Sequence, residues 1–176
     1  ILPKLNKWYN FLMGNKEINN PLYLTERQTL TNKIHNVLAH SYFLFFVFLL
    51  ISVAFDIIFP LKIFQHPSVL PIGFVFLILA STLIFWAQHT SRHLDSGNLT
   101  KESFFGGPYR YSRSPTHWGL FFLMLGFGIV ANAVFVILFT IISFLITKFF
   151  FLKKEEEILA QKYGAPYLEY KKQVRL

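Results

Sequence analysis

Two runs of residues in this chain have the types and spacing for chemistry. The first is the basic turn segment Gly106-Gly107-Pro108-Tyr109-Arg110-Tyr111-Ser112-Arg113-Ser114-Pro115, followed at once by Thr116, His117 and Trp118. The second is Lys153-Lys154-Glu155-Glu156-Glu157. Charged side chains are expensive to hold in lipid, and an almost unbroken apolar block separates the two runs. If that block folds back on itself, it sets both runs at one membrane boundary. Acidic side chains at a helix C-terminus oppose the macrodipole. Ile158, Leu159, Tyr163 and Tyr167 carry an apolar pattern onward, so the glutamates fall mid-helix, just outside the membrane. One of them facing inward could bind hydroxyls or an ammonium through charge-assisted hydrogen bonds. The plain alternative is a solvated helix end.

Other ionisable residues carry weaker signals. His89, His93 and His117 beside three glutamates invite a metal reading, but no HExxH or comparable ligand spacing occurs, and no metal site is expected. Asp56 lies near the far end of an apolar stretch, where a snorkelling or interface role is expected. Lys148 lies about one turn inside the last apolar run. It could snorkel to the headgroups, or present its ammonium to an anionic group of a substrate. Absence of cysteine excludes thiolate metal sites, disulfides and cysteine nucleophiles.

The elements that position these residues are membrane helices. Hydrophobic residues make up 53% of the 176 and aromatics 19%, in runs too long for an ordinary soluble domain. One span is expected from about Leu38 to Phe59 and a second from about Leu70 to Trp86. The block from Trp118 to Leu152 is long enough for two short spans, with Gly126, Gly128 and Asn132 as the expected reversal. The fold expected is therefore all-α and polytopic, with about four spans, a C-terminal helical hairpin and a cytosolic pocket. The basic residues fall in three segments that four spans would gather on one face. The positive-inside rule makes that face cytosolic, with both termini and the site on it. The formal charge of +8 thus reports topology rather than nucleic-acid binding.

Three regions follow: residues 1–37 as an interfacial, amphipathic segment, 38–93 as the first two spans, and 94–176 as the core carrying both motifs. In the first, Leu2, Leu5, Tyr9 and Leu12 recur at helical spacing, as in a helix lying among headgroups. The first twenty residues have no apolar central run, so no cleavable leader is expected there. Thr25-Glu26-Arg27-Gln28 has the form of a capping box.

The segment Gly107–Gly119 resembles the GPYRYxRHPxYxG signature of the isoprenylcysteine carboxyl methyltransferase and phospholipid methyltransferase superfamily. The run Glu155-Glu156-Glu157-Ile158-Leu159, with Tyr163-Gly164-Ala165-Pro166-Tyr167 through Val174, resembles that family's EExxL…FGxxYxxYxxxV ending. The resemblance spans about Leu94 to Val174, with both motifs in order.

It implies an integral-membrane transferase that uses S-adenosylmethionine, held in a cytosolic pocket roofed by the C-terminal segment, while a lipid tail enters between helices. By the same resemblance Tyr109, Ser114, Pro115, Thr116 and His117 line the cofactor pocket. Glu156 binds the cofactor from the opposite side, and Glu155 is its neighbour if the register slips. Arg113 matches the arginine before the usual His-Pro pair, and Arg113 and Glu155 are the expected catalytic residues. The implied acceptor is a membrane-embedded, lipid-like molecule such as a prenyl-cysteine carboxylate, with a phospholipid amine as the alternative. A non-catalytic lipid- or partner-binding protein is the reading of another class.

The chain departs from the pattern at three places. Ser114 replaces the family histidine, and His117 the usual tyrosine. Leu152 stands where carboxyl methyltransferases place a substrate-binding arginine; Lys148, one turn earlier, is the expected substitute.

Overall fold

The computed structural model describes residues 21–93 and 104–174. The expected headgroup helix at Leu2–Leu12 and most of the loop after the second span lie outside the described residues. Helix α1 spans Pro21–Ile58 and α2 Leu70–His93, the latter entered through a short 3-10 turn at Pro67–Val69. A second 3-10 turn, Gly107–Arg110, precedes α3 at Pro115–Val130. Helix α4, Val134–Ile146, continues through a π-helical turn at Thr147–Phe151 into α5, Leu152–Tyr163, and α6 covers Ala165–Gln173. The fold is all-α, and no strand occurs among the described residues.

Three stretches are long and apolar enough to cross a bilayer: Gln28–Ile58, Pro67–Arg92 and Val134–Tyr163. Helix α3 is a shorter apolar helix of 16 residues, about 24 Å at the usual rise. Outward-facing Phe43, Phe46, Ile78, Phe85, Phe149 and Phe150 are exposed. An apolar surface on that scale suits lipid rather than water. The chain is thus a polytopic membrane protein.

Helix α1 is continuous from Pro21 to Ile58. The boundary expected at residue 37 therefore falls inside a helix. Thr25 does not cap: its hydroxyl donates to the carbonyl of Pro21 one turn back at 2.8 Å. Thr25 thus lies within a helix that is already formed at Pro21.

The hairpin reversal is also narrower than expected. Gly126 and Gly128 lie within α3, and only Asn132 turns the chain, with φ +51. Asparagine tolerates this left-handed conformation better than most residues. Its side chain is anchored as well: Oδ1 accepts from Ile63 N at 3.1 Å and Phe64 N at 3.0 Å, and Nδ2 donates to Phe64 O at 2.8 Å. The glycines serve packing instead. A Cβ on Gly126 would lie 2.9 Å from Gly73 O and 3.0 Å from Leu77 N, so α2 and α3 touch backbone to backbone. Small residues permit such close approach in membranes, and the fully buried Ala80 and Ala87 continue the stripe.

Asp56 does more than sit at an interface. Its Oδ1 accepts from Phe135 N at 3.1 Å and its Oδ2 from Val136 N at 3.0 Å. These are free amides of the first turn of α4, so a residue of α1 caps a helix far along the chain. Stacking of Phe55 and edge contact of Phe48 with Phe139 continue the contact. Helices α1 and α4–α5 therefore run antiparallel.

Candidate functional site

The site is assembled where α1, α2, α3 and α5 end together. Gly107, at φ +54, starts the 3-10 turn against α2, where an added Cβ would lie 2.4 Å from Thr90 Oγ1. Only glycine lets the turn sit this close, and the turn fixes Tyr109. Pro115 opens α3 at its first turn, with Ser114 at the N-cap. Ser114 has an extended φ of −132 but a ψ of 58, and its backbone N–H donates to Ser112 Oγ at 3.2 Å.

Helix α6 closes over this turn. The Tyr170 hydroxyl donates to the carbonyl of Tyr109 at 2.7 Å. Phe104 packs on Tyr163, Tyr167 and Tyr170 with ring centroids 5.2, 5.7 and 5.6 Å away. Gly164, at φ +61, makes the bend between α5 and α6. Burial, with the Glu155 charge adding, pushes the Tyr109 phenol upward against opposing hydrogen bonds with Thr116 and Ser91. Burial raises Tyr170 as well. Both phenols therefore remain protonated donors at neutral pH.

Below that roof lies a cavity of about 280 Å³, near the lower end of small-ligand pockets. Helix α1 contributes Thr31, Ile34, His35 and Leu38, and the end of α2 contributes Ser91 and Arg92. Tyr109 and Arg113 enter from the first motif, and Glu155, Leu159 and the α6 tyrosines from the second. Arg113 Nη1 pairs with Glu156 Oε1, and Lys171 Nζ lies 2.7 Å from Glu156 Oε2. The two motifs are thus joined by an ion pair whose side chains are each 11% exposed.

Two buried polar atoms of the lining, Arg113 Nε and Glu155 Oε2, have no hydrogen-bond partner among the described residues. Buried polar atoms normally find one, so these two mark a place for a polar ligand. A carboxylate suits a cationic or hydroxylated group, the guanidinium N–H an acceptor, and the ring wall a flat aromatic one.

Of the residues named from sequence, Tyr109, Arg113 and Glu155 line this cavity together. Glu156 reaches it through Arg113. Ser114 and Pro115 are buried behind the turn, and Thr116 hydrogen-bonds Tyr109. His117 points elsewhere: its Nε2 lies 2.7 Å from Ser41 Oγ, and its ring tilts against Tyr42 at 5.7 Å. Both members of that pair are almost fully buried between α1 and α3. Lys148 is exposed on the π-helical turn and is not part of the cavity wall. Sequence reasoning missed the wall supplied by α1 and α2. The helical recurrence of Thr31, Ile34, His35 and Leu38 was a visible signal, yet a span entrance gives the same pattern.

An all-helical membrane bundle thus gathers a carboxylate pair, an arginine and an aromatic roof at one end. The sequence profile of the phospholipid methyltransferase family matches residues 69–166, more than half of the chain, and the protein belongs to that family. It is an integral-membrane methyltransferase. No curated protein and no solved structure gave a significant match.

Proposed function

We propose that this protein transfers a methyl group from S-adenosylmethionine to the amine of a phospholipid. The observation that carries this reading is the partnerless Glu155 Oε2 in the wall of the cavity, beside the Arg113–Glu156 pair. Bound there, the cofactor supplies an activated sulfonium methyl, so transfer needs mainly proximity and alignment. Tyr109, Arg113 and Glu155 would hold it against the ring wall, with Glu156 acting through Arg113. An ammonium acceptor must first lose a proton. Glu155 Oε2, unpartnered in the cavity wall, is the group proposed to receive it. Helix α6 excludes water through Tyr170 and the Phe104 cluster. Leu152 supports an amine over a carboxylate, because it is buried where carboxyl methyltransferases carry a cation.

A prenyl-cysteine carboxylate is the second reading, favoured by Arg92 at the cavity rim. Lys148 would serve such an acceptor only from outside the cavity wall. In both readings the cavity and termini face the cytosol, as the grouping of basic segments supports. Purified protein should bind S-adenosylmethionine in a calorimetric titration, and Glu155→Gln should spare that binding more than turnover. A protein that binds lipid but no S-adenosylmethionine would return the non-catalytic reading.

A further inference from the structure

A second cavity, of about 580 Å³, lies across the α1–α5 seam from the first. The seam itself is the packed cluster of Ile34, Val37 and Ile158, with Leu30, Leu38, Phe151 and Leu159 against it. The second cavity takes its wall from the other flank: Lys33, Asn36, Val37 and His40 on α1, and Phe151, Lys154, Glu157, Ile158 and Gln161 on α5. On each helix these positions recur every three or four residues, which is one face. The groove is therefore built by two facing stripes. It has a buried apolar floor at Val37 and Ile158 and exposed polar rims.

Because α1 and α5 run antiparallel, the groove has ordered levels. Phe151 is deepest, at the end of the π-helical turn Thr147–Phe151, on which Phe149 and Phe150 are exposed to the apolar side and Lys148 is the one charged residue. Lys154 and His40 stand one turn further out, and Lys33, Asn36, Glu157 and Gln161 form the outermost level. His40 Nδ1 lies 2.6 Å from Asn36 O, so that nitrogen donates and Nε2 faces away from the bond. Among the described residues no ion pair engages Lys33, Lys154 or Glu157. The order apolar, then cationic, then hydrogen-bonding is the order in which a phospholipid presents acyl chain, phosphate and headgroup.

We infer that this groove binds a phospholipid of net charge −1 as a resident lipid, apart from the methyl-transfer cavity. Lys154 meets the phosphate from its own level and the long side chain of Lys33 reaches it from the outer one, while Asn36, Glu157 and Gln161 meet a hydroxylated headgroup. Two lysines and one glutamate leave a net charge of +1, which a single phosphate diester neutralises. The acyl chain lies along Phe151.

Native mass spectrometry of the detergent-solubilised full chain, titrated with phosphatidylglycerol or phosphatidylcholine of identical acyl chains, tests this. Wild type should retain phosphatidylglycerol in clear excess. The Lys33→Ala/Lys154→Ala variant should lose about tenfold or more of that retention, while Lys172→Ala, on the exposed face of α6, should keep it. Both lysines of the groove are exposed, and circular dichroism would confirm that the variant keeps its helicity. Equal retention of the two lipids, an unaffected double variant, or an equal loss in Lys172→Ala would overturn the proposal. Glycerol phosphate at the same concentration should not compete; effective competition would also overturn it, by making the occupant a free phosphate rather than a lipid.

Discussion

Arg113 and Glu156 form a buried ion pair that joins the turn before α3 to the middle of α5. Each belongs to one of the two motifs, so the pair links them through a single contact. Lys171 of α6 holds the other carboxylate oxygen, and the closing helix is thereby tied to the same point. Removing one partner of such a pair leaves the other charge buried and unpaired.

Glu156→Ala should therefore destabilise the protein by about 3 kcal/mol and weaken cofactor binding, with Glu156→Gln intermediate in both. Lys172→Ala, exposed on α6, should do neither. Thermal unfolding in detergent and calorimetric titration would read the two effects separately. A Glu156→Ala protein as stable as wild type would mean that the pair carries no structural weight.

Tyr170→Phe removes the donor to the Tyr109 carbonyl and nothing else from the ring cluster. The cost expected for one unmade buried hydrogen bond is about 1–3 kcal/mol. Because that bond fastens α6 to the first motif, limited proteolysis should cut near Gly164 faster in the variant. Saturating cofactor should slow the cleavage again. Unchanged cleavage with and without the substitution would detach α6 from any closing role.

At the opposite end, Asp56→Ala leaves the first amides of α4 without a cap. Loss of a capping side chain costs about 0.5–2 kcal/mol, and the effect should show as a lower midpoint in denaturing mixed micelles. Gly126→Ala should be at least as damaging, at about 1–3 kcal/mol, because the added methyl meets Gly73 and Leu77 backbone rather than a side chain that could move. If either variant unfolds like wild type, the hairpin is held by contacts other than these.

The spans and the meeting of the two motifs were legible from sequence, because both follow from where charge can and cannot lie relative to lipid. Asp56 was not legible: an aspartate at a span end reads as an interface residue until the α4 amides are found beside it. Gly126 and Gly128 read as turn residues for a similar reason, since glycine serves a turn and a close helix contact equally well. His117 sits inside the first motif, yet its register on α3 turns it towards Ser41. The cavity wall from α1 was hidden because its first turns carry the same residue pattern as any helix entering a membrane.

Cysteines placed at Gln65 and Gln173 should label from opposite sides of the bilayer, since Gln65 lies beside the far-end cavity with Asn132 and Gln173 ends α6. Labelling from the same side would contradict the arrangement of spans.

Methyl transfer from S-adenosylmethionine to a lipid amine in the Glu155 cavity is open to direct measurement. Purified protein in nanodiscs should be given methyl-labelled cofactor with phosphatidylethanolamine or with a prenyl-cysteine analogue, and label counted in each acceptor. Label should appear in the phospholipid headgroup, reduced about 10²-fold or more by Glu155→Gln, with little in the prenyl-cysteine. Label in the prenyl-cysteine alone, or phospholipid labelling indifferent to Glu155→Gln, would contradict it.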